Sequence, residues 1–174
     1  MDEDFIISKA TIQDADQLVA LINSAYRGEE AKKVWTHEAD LIEGNIRIDK
    51  TSIVDSINKK DAVILKCNKN NGALLGCVYL EKQDRKLYLG MLSVSPTLQG
   101  SGVGKKLLQG ADKHAREIGC HSIIMNVIPA RKELIAWYNR NGYTETGERK
   151  PFPEGNKFGT PRVPIDFIVL EKQL

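Results

Sequence analysis

Apolar residues follow two rhythms along this chain. Phe5 to Ala10 is short and isoleucine-rich and reads as a strand stopped by Thr11. Beyond it Ala15, Leu18, Val19, Ile22 and Tyr26 recur at the spacing of one helix face. Thr11 suits the cap of that helix, and Asp14, three residues on, suits its positive end. Residues 27–50 are polar, broken by Gly28 and Gly44, and carry no clear period. Ile53, Val54 and Ile57 predict a short helix starting at Thr51. Asp61 to Cys67 then reads as a strand, Asn68 to Gly72 as a turn, and Ala73 to Lys82 as the returning strand of a hairpin. Lys86 to Val94 adds another strand.

The rhythm then changes. A glycine-rich turn at 99–104 opens a helix with Val103, Leu107, Leu108, Ala111, Ala115 and Ile118 on one face, and Gly119 stops it. Ser122 to Ile128 is β-branched and apolar, the signature of a buried strand reached by a helical crossover. A helix from about 131 to 140 ends at Asn141-Gly142, and Tyr143 begins a strand. A connection through Pro151, Pro153, Gly155, Gly159 and Pro161 leads to a last strand, Ile165 to Leu170. With no repeat, low-complexity tract or linker, the pattern predicts one mixed α/β domain over residues 1–174.

Composition narrows the function classes. The 25 Lys and Arg against 23 Asp and Glu leave a net charge of +2, without the basic stripe that nucleic-acid binding needs. No apolar run approaches the roughly 20 residues of a membrane span. The start, Met1-Asp2-Glu3-Asp4, is acidic, unlike a secretory signal. A cytoplasmic protein with no membrane partner is the expectation. Cys67, Cys77 and Cys120 are odd in number and far apart, which fits buried free thiols better than disulfides. His114 and His121 lack partners at ligand spacing, so no metal site is expected.

The densest chemistry lies in Leu92-Ser-Val-Ser-Pro-Thr-Leu-Gln-Gly-Ser-Gly-Val-Gly-Lys-Lys-Leu-Leu108. A strand ends, Pro96 breaks pairing, and Gly100, Gly102 and Gly104 lead into a helix. Missing β-carbons admit a ligand close to the backbone, and the N–H groups and dipole of a helix start favour an anion. The Walker A pattern fails, because Gln99 stands at its first glycine and Lys106 at its Ser/Thr. The dinucleotide pattern Gly-x-Gly-x-x-Gly fails too, since its last glycine falls on Lys105 or Leu107. Taken alone, the segment also reads as a tight turn packed on a neighbouring strand.

Gln99-Gly-Ser-Gly102-Val-Gly104 resembles the Gln/Arg-x-x-Gly-x-Gly/Ala signature of the GNAT superfamily of acetyl-CoA-dependent N-acetyltransferases. Trp137-Tyr138-Asn-Arg-Asn-Gly142-Tyr143 resembles that family's Tyr-x-x-x-Gly-Phe/Tyr segment, and the order of elements agrees along nearly the whole chain. The resemblance implies an acyl-CoA N-acyltransferase fold: a central, mostly antiparallel sheet splayed between its fourth and fifth strands. It implies that acetyl-CoA is the co-substrate, that Leu92 and Val94 bind its pantetheine arm through their backbone, and that the main chain of Gln99, Gly100, Ser101, Gly102, Val103 and Gly104, with Lys105, holds its pyrophosphate. Tyr138 occupies the position that donates a proton to the departing thiolate, a role open to a phenol with a reference pKa of about 10. It also reads as an aromatic packed beneath the cofactor. Where the family often has Asn, this chain has Arg131, placed to contact the CoA chain or a phosphate, or to cap the helix.

The acceptor must be an unprotonated amine, and the family draws its acceptor contacts from the segment after the first helix. Here that segment holds Tyr26-Arg27 and Trp35-Thr36-His37-Glu38. Tyr26, Arg27 and Trp35 read as a substrate wall, with Glu38 binding the ammonium or passing its proton to water. The same run also reads as a surface helix anchored by Trp35. Further on, Thr146 to Pro153 reads as a loop over the acceptor, with Arg149 meeting a carboxylate, or as a plain connection. The function implied is acetyl transfer to a primary amine of a small molecule. The alternatives are a non-catalytic acyl-CoA-binding or sensing module, and a protein lysine or N-terminal acetyltransferase. Dimers are common in the family, which makes a homodimer the expected assembly.

Overall fold

A computed structural model describes residues 5–26, 42–43, 48–98, 101–151, 160–161 and 166–174. The chain begins with strand β1 (Phe5–Lys9) and a short 3-10 turn at Ile12–Asp14. The Asp14 carboxylate accepts from the Thr11 N–H at 2.8 Å, which sets the entry to helix α1 (Ala15–Tyr26). After the two-residue strand β2 (Ile42–Glu43), helix α2 (Lys50–Asn58) starts one residue before the sequence pattern suggests. Asp49 is the reason: its carboxylate accepts from the Ser52 N–H at 2.8 Å and caps the helix. Strands β3 (Ala62–Lys69), β4 (Leu74–Gln83) and β5 (Lys86–Val94) form an antiparallel meander. Then come helix α3 (Val103–Glu117), strand β6 (Ser122–Val127), helix α4 (Lys132–Arg140) and strands β7 (Thr144–Pro151), β8 (Thr160–Pro161) and β9 (Asp166–Gln173).

Seven strands make one mixed sheet in the order β1-β3-β4-β5-β6-β9-β7. Every neighbouring pair is antiparallel except β5 and β6, which are parallel and joined by the α3 crossover. These two strands pair only at Lys86–Ser122, Leu87–Ile123 and Tyr88–Ile124. Beyond that seam their pairing ends while both strands continue, the splay expected between the fourth and fifth strands of the sequence pattern. The pattern did not count β2, which pairs with β8 in a small separate sheet.

The sheet divides two apolar clusters. Leu80, Leu87, Leu89 and Ile123 pack with Leu107, Leu108 and Tyr138 on the α3 and α4 side. Ile64 and Tyr79 pack with Leu18, Ile22 and Ile53 on the α1 and α2 side. Cys67, Cys77 and Cys120 are free and buried, and burial pushes the Cys77 thiol up to about 12. No helix among the described residues is long and apolar enough to cross a membrane.

Candidate functional site

The site grows from a glycine outside either motif. A Cβ on Gly76 of β4 would stand 2.8 Å from the Ser93 carbonyl oxygen, 2.9 Å from Val103 Cγ1 and 3.0 Å from Leu107 Cδ1. The bare Cα therefore seats the start of α3 directly against β4, beside the end of β5. Gly102 caps α3 in the left-handed region, φ +91°, without a side-chain hydrogen bond to the helix. The Ser101 hydroxyl donates instead to the Leu98 carbonyl. Where α2 has Asp49, α3 has no acid in its first turn, and the exposed Lys105 adds positive charge. Its first-turn N–H groups and dipole thus face outward uncompensated by any side-chain anion of the helix. Among the described residues nothing lies within 4 Å of a Cβ built on Gly102. That open, positive helix start suits a diphosphate.

Leu92 and Val94 lie past the last β5–β6 pair, their side chains buried with α3 and α4. Their main chain is what lines the splay. Val103 is 1% exposed, a core side chain, so only its backbone is available to a ligand. Gln99 and Gly100 lie outside the described residues.

Helix α4 packs on the same face of the sheet as α3. Arg131, half-buried, stands at its start: its N–H donates to the Ile128 carbonyl at 3.0 Å and its carbonyl accepts from Ile135 N–H at 3.1 Å. At the other end Gly142, φ +96°, reverses the chain, and the Tyr143 N–H donates to the Tyr138 carbonyl at 3.1 Å. This reversal brings the Tyr143 ring edge-on to Tyr138, centroids 5.8 Å apart. Trp137 flanks Tyr138 at 5.1 Å. Tyr138 is thereby buried and held between two aromatic rings. Burial, with the Asp112 carboxylate nearby, raises the Tyr143 phenol well above its ordinary range and keeps it neutral. Asp112 itself accepts from Lys172 Nζ at 2.6 Å.

The other face of β5 carries residues that the motifs do not single out. A Cβ on Gly90 would stand 2.9 Å from Tyr88 Cε1 and 3.0 Å from its Oη, so the Tyr88 ring lies along the strand over a bare Cα. Next to it Met91 has φ +50°, within a bulge opposite the stretch Cys77 to Tyr79. Tyr88 and Met91 pack on the α1 and α2 side, across the sheet from Tyr138. A glycine inside a strand is the available sequence signal, since it marks a bulge or a close approach.

Of the proposed acceptor residues, Arg27, Trp35 and Glu38 lie outside the described residues, and Tyr26 ends α1. The segment holding them is nevertheless tied to a second one: Ile42 pairs with Pro161 and Glu43 with Thr160. This joins the stretch after α1 to the stretch before β9. The run from Thr146 is strand β7 as far as Pro151, not a loop, and the Arg149 guanidinium donates to Asp166 at 3.0 and 3.1 Å. No cluster able to hold a metal occurs among the described residues.

The mixed sheet, the glycine-led start of α3 and the aromatic helix α4 packed against it frame the candidate site. Residues 16–143 match the sequence profile of the Acetyltransferase (GNAT) family, and the chain belongs to that family. A curated acetyltransferase of Agrobacterium fabrum is 30% identical over 69 residues, covering 40% of this chain and 49% of its own length. This chain thus matches about half of that relative. The fold is similar to that of PaiA N-acetyltransferase from Thermoplasma acidophilum in complex with coenzyme A, with TM-score 0.69, 18% identity, and 98% and 99% of the two chains covered. It is also similar to the ribosomal-protein-S18-alanine N-acetyltransferase of Escherichia coli, with TM-score 0.72, 14% identity, and 97% and 93% covered.

Proposed function

We propose that residues 1–174 form one catalytic domain that moves an acetyl group from acetyl-CoA to a primary amine of a small molecule. The observation carrying this reading is the three-pair seam between β5 and β6, with the glycine-led start of α3 and the buried Tyr138 of α4 on one face of the sheet. Acetyl-CoA supplies the acetyl thioester: the amine nitrogen gains the acyl carbon as the carbon–sulfur bond breaks. The main chain of Leu92 and Val94 holds the pantetheine arm as an added strand would. Backbone N–H groups from Gln99 to Gly104, with Lys105, hold the pyrophosphate, and Arg131 adds a cation at the start of α4. A backbone N–H near Val94 stabilises charge on the carbonyl oxygen.

An ammonium nitrogen loses two protons on becoming an amide. Glu38 takes the first before attack, directly or through water, and the second leaves the acylated nitrogen to replace the proton that Tyr138 delivers to the departing thiolate. Tyr26, Arg27 and Trp35 wall the acceptor, on a segment whose far end is anchored by the β2–β8 pairing. Three buried free thiols support a cytoplasmic setting. Calorimetric titration with acetyl-CoA tests the reading at its base: saturable one-site binding is expected, and no heat at millimolar ligand would end it. Thiol release over panels of small amines and N-terminal peptides then separates enzyme from binder and one acceptor class from the other.

A further inference from the structure

Met91 is out of step with the rest of β5. Cys77 pairs with Ser93 and Tyr79 with Gly90, so Met91 and Leu92 together stand opposite Val78 alone. This β-bulge lies just past the last β5–β6 pair, Tyr88–Ile124, where a bulge bends and re-aims its strand. Met91 carries it at φ +50°, in the left-handed region that glycine enters freely and methionine enters at a cost. Such a backbone persists only where its neighbours over-determine it. Ser93 is the neighbour that does so: it is fully buried, and its hydroxyl donates to the Met91 carbonyl at 2.9 Å. Behind it the thiol of Cys77, its partner across the strands, lies within hydrogen-bonding reach of the same hydroxyl. That thiol is buried and stays protonated, a donor to the serine oxygen.

The peptide between Met91 and Leu92 is one rigid plane, its carbonyl and N–H pointing opposite ways. Pinning the Met91 carbonyl therefore sets the direction of the Leu92 N–H. Resting on the function proposed above, we propose that Ser93 is a positioning residue for acetyl transfer. Backed by Cys77, its hydroxyl locks the Met91–Leu92 peptide, and with it the line of β5 along the cleft, so that the thioester is held in line for the amine. The hydroxyl acts through the main chain, so its loss displaces the reacting carbon without removing a contact to it. A displacement of that kind costs rate before it costs affinity.

Ser93→Ala removes the lock. With acetyl-CoA and the most active amine of the panel, it is expected to lower kcat about tenfold while the calorimetric Kd for acetyl-CoA changes by less than about twofold. The backbone chemical shifts of residue 91 are expected to move from left-handed toward extended values. In a Met91→Gly background the left-handed conformation has no steric cost, and there the same serine substitution is expected to cost only about threefold in kcat. Equal losses of kcat and affinity, equal losses in the two backgrounds, or left-handed shifts retained in Ser93→Ala each overturn the assignment. If Ser93→Ala does not fold, Cys77→Ala keeps the Ser93–Met91 bond and loses only the thiol behind it. A fall in kcat of about two- to threefold at unchanged Kd is then expected, and an unchanged kcat overturns the proposal. Absence of acetyl-CoA heat or of turnover in the native chain fails the parent reading instead, and the shifts of residue 91 still decide whether Ser93 holds the bulge.

Discussion

The Cγ1 atom of Val103 lies 2.9 Å from the place a β-carbon of Gly76 would take. Strand β4 and the glycine-led helix are fitted to each other at that point with no room for a methyl group. Gly76→Ala is expected to destabilise the protein by about 1–3 kcal/mol, the usual range for overpacking a core. Urea unfolding measures it, and an unchanged midpoint would show that α3 shifts freely. Because the displaced helix carries the proposed phosphate turn, acetyl-CoA affinity should fall in the same variant.

Tyr138 offers a separable prediction. Its ring is held by Trp137 and Tyr143, so loss of the hydroxyl alone leaves the packing in place. Tyr138→Phe is expected to lower kcat by roughly a hundredfold or more, the range for a general acid, while calorimetric affinity for acetyl-CoA stays near that of the parent. Full turnover in this variant would remove Tyr138 from the proton path.

A third expectation concerns acid stability. Glu81 accepts from the Tyr79 hydroxyl at 2.6 Å and from Lys59 Nζ at 3.0 Å, and the Tyr79 bond, with Lys59 in support, holds its carboxyl below the ordinary carboxylate range. A carboxylate whose pKa is lower in the folded chain contributes stability above its unfolded value, about 4.3, and loses it as pH falls through the folded value. Tyr79→Phe removes the largest cause. Its urea midpoint should therefore decline less steeply below about pH 4.3 than that of the parent. Parallel acid limbs in the two proteins would contradict the assignment.

Lys172 and Asp112 form a pair that is mostly buried beside Tyr143, and the second Asp112 oxygen has no hydrogen-bond partner among the described residues. Lys172→Met leaves that carboxylate without its cation and is expected to cost about 3 kcal/mol. Adding Asp112→Leu should restore part of the loss. A double-mutant cycle measures the coupling, and additive effects would show that the pair contributes no net attraction.

Much of this fold was legible because its elements announce their own ends. Asn68 to Gly72 closes one hairpin, Gly119 and Gly142 take the left-handed conformation at helix ends, and the crossover strand from Ser122 is mostly apolar. The insertion of β9 between β6 and β7 was not legible, since register among distant strands leaves no local mark. Nor was the β2–β8 pairing, only two residues long on each side. At the site, the motifs located the turn and Tyr138. Gly76 and Gly90 escaped reading because each is glycine for its neighbour's sake, and spacing along one element does not reveal that.

The position of the seam has a consequence for the whole chain. Every strand on one side of it, β1, β3, β4 and β5, comes from residues 5–94, and every strand on the other, β6, β9 and β7, from residues 122–173. The two half-sheets are successive stretches of polypeptide, paired to each other as strands at three positions only. A ligand laid in the opening is a strut between early and late chain. At a hundred times its Kd, such a strut would add about 2.7 kcal/mol to the stability of the fold, so substrate supply and the survival of the protein are coupled through the same joint.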